Sequence, residues 1–230
     1  MDKRIYGYFE DDDSFHLTTI KKWEEGLSVS GIQKYLENHV LKSLRDDFLP
    51  ALKTYKKKNV GYFALMRIIF PYITFLGSLY RGIDETKSAL QFMVDYMGRV
   101  DDEYRHKAGV YYVAHRHGLL HTNSSKIFIY GKKKLGWYVS FANVGRRNRG
   151  DFLGSNLGMY PRLFFDDLCS AMDLYIKDFD NNRKEKELIK NFKKGFIKMA
   201  KLHSIKDVGR DKTVRQLVRR GLRKYGVVPR

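Results

Sequence analysis

The segment KKKNVGYFALMRIIFPYITFLGSLYRG, Lys56 to Gly82, decides the fold class. From Val60 to Tyr80 it is apolar on nearly every side, as a helix must be if it is surrounded by others or by lipid. Arg67 and Pro71 interrupt it and argue against a membrane span. The expectation is therefore the most buried helix of a bundle, kinked near Pro71 and stopped by Gly82 acting as a C-cap.

Working outward from that helix, the N-terminal side shows Ile32, Tyr35, Leu36, His39, Val40, Leu44 and Phe48 at amphipathic spacing, which predicts a helix from Ser28 to about Pro50 or slightly beyond. On the C-terminal side Asp84 is a candidate cap for a helix burying Leu90, Met93, Val94 and Met97, and Asp101, Asp102 and Glu103 place negative charge at the start of a fourth. Pro161 suits the first turn of a helix carrying Leu163, Phe164, Leu168, Met172, Tyr175 and Ile176. Further helices are expected at 183–203 and at 213–224, the latter with Val214, Leu217, Val218, Leu222 and Tyr225 on one face and arginines on the other.

Between the fourth helix and Pro161 the periodicity changes. Ile127 and Ile129, then Leu135, Trp137, Val139 and Phe141, alternate in the manner of strands, with Gly131 and three lysines between them. This predicts a hairpin over about 126–141 with a basic tip. The glycine-rich stretch NVGRRNRGDFLGSNLGMY lacks the Gly-Lys-Ser/Thr of a phosphate loop and is read as a loop with at most one short strand.

The 230 residues, 43% of them hydrophobic and 14% aromatic, are enough for a well-filled core. The start, MDKRIYGYFEDDD, has no apolar run of the roughly 7–15 residues of a secretory signal, and Cys169 is the single cysteine, so a reducing cytoplasm is expected. The net charge of +18 is concentrated: residues 1–125 sum to +2, 126–149 to +7, 150–182 to −4 and 183–230 to +13. Two such basic blocks attract polyanions by counterion release, and nucleic acid is the expected partner, with Lys126, Lys132, Lys133, Lys134, Arg146, Arg147 and Arg149 as phosphate contacts.

The fourth helix leads into AHRHGLLHTN, Ala114 to Asn123, which holds three of the seven histidines. These residues admit three readings. His117 and His121, four apart, share the spacing of a helical zinc pair, although no third ligand declares itself unless His106 or an acid folds in. Histidines at a helix end also satisfy the C-terminal dipole without chemistry. The third reading joins Arg116, whose guanidinium can hold a phosphate and stabilise a pentavalent transition state, to His121, whose imidazole moves protons at neutral pH. RNA supplies its own 2′-hydroxyl nucleophile, so such a site needs no cofactor.

RHGLLH, Arg116 to His121, resembles the Arg-x4-6-His signature of the HEPN superfamily, in which a polar residue, here His117, is preferred after the arginine. The resemblance implies a mainly α fold, a bundle of four to five core helices over 28–205 with the hairpin inserted, preceded by an extension at 1–27 and followed by a basic tail at 206–230. It further implies a metal-independent endoribonuclease of toxin–antitoxin or phage-defence type, in which Arg116 holds the scissile phosphate, His121 is general acid or base and His117 orients them. The partners it implies are RNA, a second copy of the chain completing a composite site and an antitoxin protein, with no membrane. Where a subset of these toxins carries a tyrosine two residues after the histidine for silencing by nucleotidyl transfer, this chain has Asn123. On a regular helix, residues five apart stand about 140° from one another around the axis, so Arg116 and His121 need a distortion at Gly118 or a partner protomer to converge. Tyr111, Tyr112 and His115 are then candidates for the apolar rim of the dimer interface, the alternative being that these tyrosines pack within one chain. The competing expectation is a non-catalytic helical protein that binds nucleic acid through its basic blocks.

Overall fold

The computed structural model describes the backbone of residues 28–58, 62–83, 85–117, 128–130, 133–139, 152–153, 156–181, 183, 185–200, 216 and 220. The first rod, α1, runs through Val29–Tyr35, Leu36–Leu41 and Lys42–Lys58. It starts at Ser28, whose Oγ accepts from the Gly31 N–H at 3.1 Å, an N-cap that satisfies a backbone donor with no partner inside the helix. Ile32, Leu36, Val40, Leu44 and Phe48 are all at most 5% exposed. A row of residues four apart drifts by about 40° per step around an α-helix. The Leu36–Leu41 segment, a π turn, closes i→i+5 hydrogen bonds and rotates less per residue, which turns part of that drift back and keeps the row toward the core.

The helix runs further past Pro50 than expected. Proline removes one N–H and crowds the preceding turn, yet α1 continues to Lys58 with Pro50 inside it. Phe48 and Leu52, buried on either side, draw both halves into the bundle, so packing outweighs the missing hydrogen bond.

The quoted apolar segment forms α2, Tyr62–Arg81, with Pro71 inside it. Leu65, Met66, Ile69, Phe70, Ile73, Leu76 and Leu79 are buried along its length. Gly82 follows at φ +67°, the left-handed conformation of a glycine cap. Phe63–Arg81 is the one helix among the described residues long and apolar enough to cross a membrane, and half of it is buried within the protein.

The third rod, α3, comprises Thr86–Phe92, a second π turn at Met93–Met97 and Gly98–Val100. Its N-cap position is Glu85, without a side-chain cap hydrogen bond; Asp84 lies outside the described residues. Met93 and Met97 are buried as expected, joined by Ala89, Phe92 and Tyr96, while Leu90 and Val94 are only partly covered. The fourth rod, α4, is Glu103–Tyr111 followed by a third π turn, Tyr112–His117. Asp101 Oδ1 accepts from the Glu103 N–H at 2.9 Å, so it is the acid that caps this helix. Two more rods complete the six helices among the described residues: α5, Pro161–Asp178, with proline at its first turn, and α6, Glu185–Ala200.

The protein is thus a mainly α helical bundle. Its interior is unusually aromatic. Tyr80, Phe92, Tyr96 and Tyr175 meet edge-on or stacked with ring centroids 5.1–6.4 Å apart. A second group joins Tyr104, Tyr111 and Phe164 at 5.2–6.1 Å. Where α2 crosses α3 the backbones nearly touch, since a Cβ built on Gly77 would lie 2.5 Å from the Ala89 nitrogen.

The strands β1 (Phe128–Tyr130), β2 (Lys133–Val139), β3 (Phe152–Leu153) and β4 (Asn156–Met159) form one sheet in the order β1-β2-β4-β3. β1 and β2 are the expected hairpin, antiparallel with Phe128 opposite Leu135. Only residues 131 and 132 separate the two strands, so Lys133 and Lys134 belong to β2 rather than to the tip. The glycine-rich stretch also departs from the loop reading, because it supplies two strands. β4 lies parallel to β2, with Trp137 opposite Leu157 and Val139 opposite Met159, and β3 pairs antiparallel to β4.

The chain divides into two compact units, Met1–Lys198 and Met199–Arg230. The first contains the sheet and most of the helical bundle. In the second, Gln216 and Arg220 are helical and exposed.

Candidate functional site

The arginine–histidine motif begins in the last described turn of α4, and three buried groups fix where that part of the rod lies. Tyr104 donates to Asp167 Oδ2 of α5 at 2.7 Å in a site where both residues are at most 3% exposed. Tyr111 packs its ring edge-on against Phe164 of α5 at 5.3 Å. Tyr112 places its hydroxyl 3.1 Å from Thr74 Oγ1 of α2 and its ring against Phe70. The rod is therefore held against α2 and α5 up to Ala114, itself 1% exposed. A site built on such a support inherits its rigidity.

Tyr111 and Tyr112 are 0% and 1% exposed. They are core residues, not the rim of an interface, because their rings fill the space between α2, α4 and α5. Arg116 and His117 are the last two residues of the π turn Tyr112–His117, whose i→i+5 hydrogen bonding follows the nine α-helical residues Glu103–Tyr111. His121 lies outside the described residues. Of the expected phosphate contacts, Lys133 and Lys134 stand in β2 and Lys134 is exposed. Lys126, Lys132, Arg146, Arg147 and Arg149 lie outside the described residues.

Two other residues that could have carried chemistry have defined surroundings. His106 is exposed on α4, with its Nε2 3.4 Å from Asp102 Oδ2 one turn earlier. Cys169 is a buried free thiol whose pKa burial pushes up to about 11, against an opposing contribution from Arg45. A thiol so placed stays protonated at neutral pH and is not a nucleophile. Among the described residues no group of three histidine, cysteine, aspartate or glutamate side chains could hold a metal ion.

The buried carboxylates escaped the sequence reading. Asp178 of α5 accepts from Arg99 Nη1 at 2.8 Å, from Arg99 Nη2 at 3.3 Å and from the Tyr96 hydroxyl at 3.2 Å. Half-buried Asp95 accepts through Oδ2 from Tyr80 at 2.8 Å and from Gln91 Nε2 at 2.9 Å. The partners of Asp167 and Asp178 are 63–82 residues distant in sequence. The one local signal was that acids on the apolar helix α5 would need donors. Against protein-family models, curated proteins and solved structures, the chain finds no match.

Proposed function

We propose that this protein is a cytoplasmic, metal-independent endoribonuclease of the HEPN type, acting as a homodimer. In this reading Arg116 holds the scissile phosphate and stabilises its transition state, His121 transfers the proton and His117 orients them. The observation that carries the reading is RHGLLH entered from a bundle helix whose last described turn, Tyr112–His117, is a π turn. Arg116 and His117 are the last two residues of that turn. Such turns are frequent at functional sites. The basic block at 126–149, immediately downstream, supplies the attraction for a polyanionic substrate.

The reaction is attack by the 2′-hydroxyl on the adjacent phosphorus, with loss of the 5′-oxygen and formation of a 2′,3′-cyclic phosphate. His121 takes the hydroxyl proton or protonates the leaving oxygen, and Arg116 stabilises the charge on the phosphoryl oxygens. The test is cleavage of RNA in EDTA by the purified chain and by His121→Ala. Removing a general acid or base should slow cleavage by about 10²–10⁴-fold; equal cleavage by the variant refutes the reading.

The exposed Lys134 within the +7 block also favours binding without turnover. That reading expects salt-sensitive RNA binding, with each neutralised phosphate contact reducing the slope of log K against log salt by about one. Unchanged binding after neutralising both basic blocks excludes it.

A further inference from the structure

At the end of α4 remote from the motif, a cleft of about 600 Å³ opens between the C-terminal end of α2, α3, α4 and α6. Arg105 and Arg116 are eleven residues apart, about 16 Å along the rod, so this cleft is separate from the proposed RNA site. Three arginines line it, Arg81, Arg99 and Arg105, together with Asp95, Glu187 and Asn191. We propose that it binds a small phosphate ester carrying hydroxyl or amino donors, of the size of a nucleoside monophosphate.

Arg99 is held in place by its neighbours, and the stem of Arg105 is seated on the backbone of α3. Asp178 engages two of the five N–H donors of Arg99 from behind, and the Tyr96 ring lies 5.3 Å from the guanidinium carbon. Three donors of Arg99 are not taken by Asp178. The stem of Arg105 lies directly across Gly98, where a Cβ would come within 2.7 Å of Arg105 Cγ. A glycine is needed there because any side chain would displace that stem. Arg105 makes only a long, exposed contact with Asp102, 3.4 Å from Nε. Arg81 is exposed at the end of α2, immediately before the Gly82 cap.

The acids define the other half of the ligand. Asp95 is already engaged by Tyr80 and Gln91, so it leaves the arginines largely free for an incoming anion. Glu187 is exposed in the first turn of α6, with Asn191 one turn further on. They present acceptors suited to sugar hydroxyls or an exocyclic amine, and a guanidinium pairs with a phosphate by two parallel hydrogen bonds. The volume falls in the range of sites for small molecules.

The test is calorimetric titration of the full chain with adenosine 5′-monophosphate, and separately with adenosine and inorganic phosphate. One saturable site per chain is expected, with the monophosphate binding more tightly than either part. Arg81→Glu and Arg105→Glu should each weaken it about tenfold or more, the loss of a charge-assisted hydrogen bond, while Lys134→Glu leaves it unchanged. Gly98→Ala preserves every charge and should weaken binding by displacing Arg105; far-UV circular dichroism checks that it is folded. Absence of saturation, affinity unchanged in both charge reversals, or inorganic phosphate binding as tightly as the monophosphate would overturn the proposal.

Discussion

Gly77→Ala tests how closely α2 approaches α3. A Cβ at this position would lie 2.5 Å from the Ala89 nitrogen and 2.6 Å from Ala89 Cα and the Ser88 carbonyl carbon. All three are backbone atoms that no rotamer change can move. Relief to an ordinary contact of about 3.5 Å requires the helices to part by roughly 1 Å, which weakens dispersion contacts along the seam. Overpacking of this kind costs about 1–3 kcal/mol. Alanine in place of glycine in a helix returns about 0.5–1 kcal/mol. The expected net effect is a loss of up to about 2.5 kcal/mol, centred on about 1 kcal/mol, read from the urea midpoint at constant m-value. Gly109→Ala in α4 is the matched control, because its Cβ would meet nothing within 4 Å. It gains the same propensity without the clash and should stabilise by about 0.5–1 kcal/mol. A Gly77→Ala protein as stable as Gly109→Ala would refute the close packing of α2 on α3.

Three further outcomes follow from the same physical reasoning. Tyr104→Phe keeps the ring against Phe164 but removes the 2.7 Å hydrogen bond to buried Asp167; it should lower stability in urea by about 1.5–3 kcal/mol. Ser28→Ala removes the cap on Gly31 and should lower stability by about 0.5–2 kcal/mol in the same assay. Cys169, buried with its pKa raised to about 11, should react with a thiol reagent at neutral pH only as fast as the protein opens. Adding urea below the unfolding midpoint should accelerate that reaction, whereas a fast reaction in native buffer would contradict the buried placement.

The bundle was legible because its signals are local. The apolar run of α2, the proline opening α5 and the glycine ending α2 each act through neighbours in sequence, and Gly82 takes the positive φ that a cap requires. What escaped depends on distant partners. Pro50 reads as lying near the helix end, but Phe48 and Leu52 are held by the core and the helix carries on to Lys58. Tyr111 and Tyr112 read equally well as interface or interior, since tyrosine suits both; Thr74, 38 residues away from Tyr112, and Phe164 of α5 show them to be interior. The parallel pairing of β2 with β4 joins a basic hairpin to a glycine-rich stretch, and neither segment alone foretells it. The π turns have no residue signature, although one of them runs into the motif at Arg116 and His117. For the candidate site, sequence identified the residue types, and the structure adds that the helix entering them is anchored by Tyr104, Tyr111 and Tyr112.

The central claim is that RNA is cut by its own 2′-hydroxyl at a site containing Arg116 and His121, with no metal ion. The most direct measurement compares an RNA oligonucleotide with its 2′-deoxy counterpart, both incubated in EDTA with the purified chain and with Arg116→Ala, the 3′ ends of the products being identified by mass spectrometry. The account expects 2′,3′-cyclic phosphate ends from the RNA, an intact deoxy strand and little product from Arg116→Ala. RNA left intact in EDTA, equal cutting of the deoxy strand, or full activity in Arg116→Ala would contradict it.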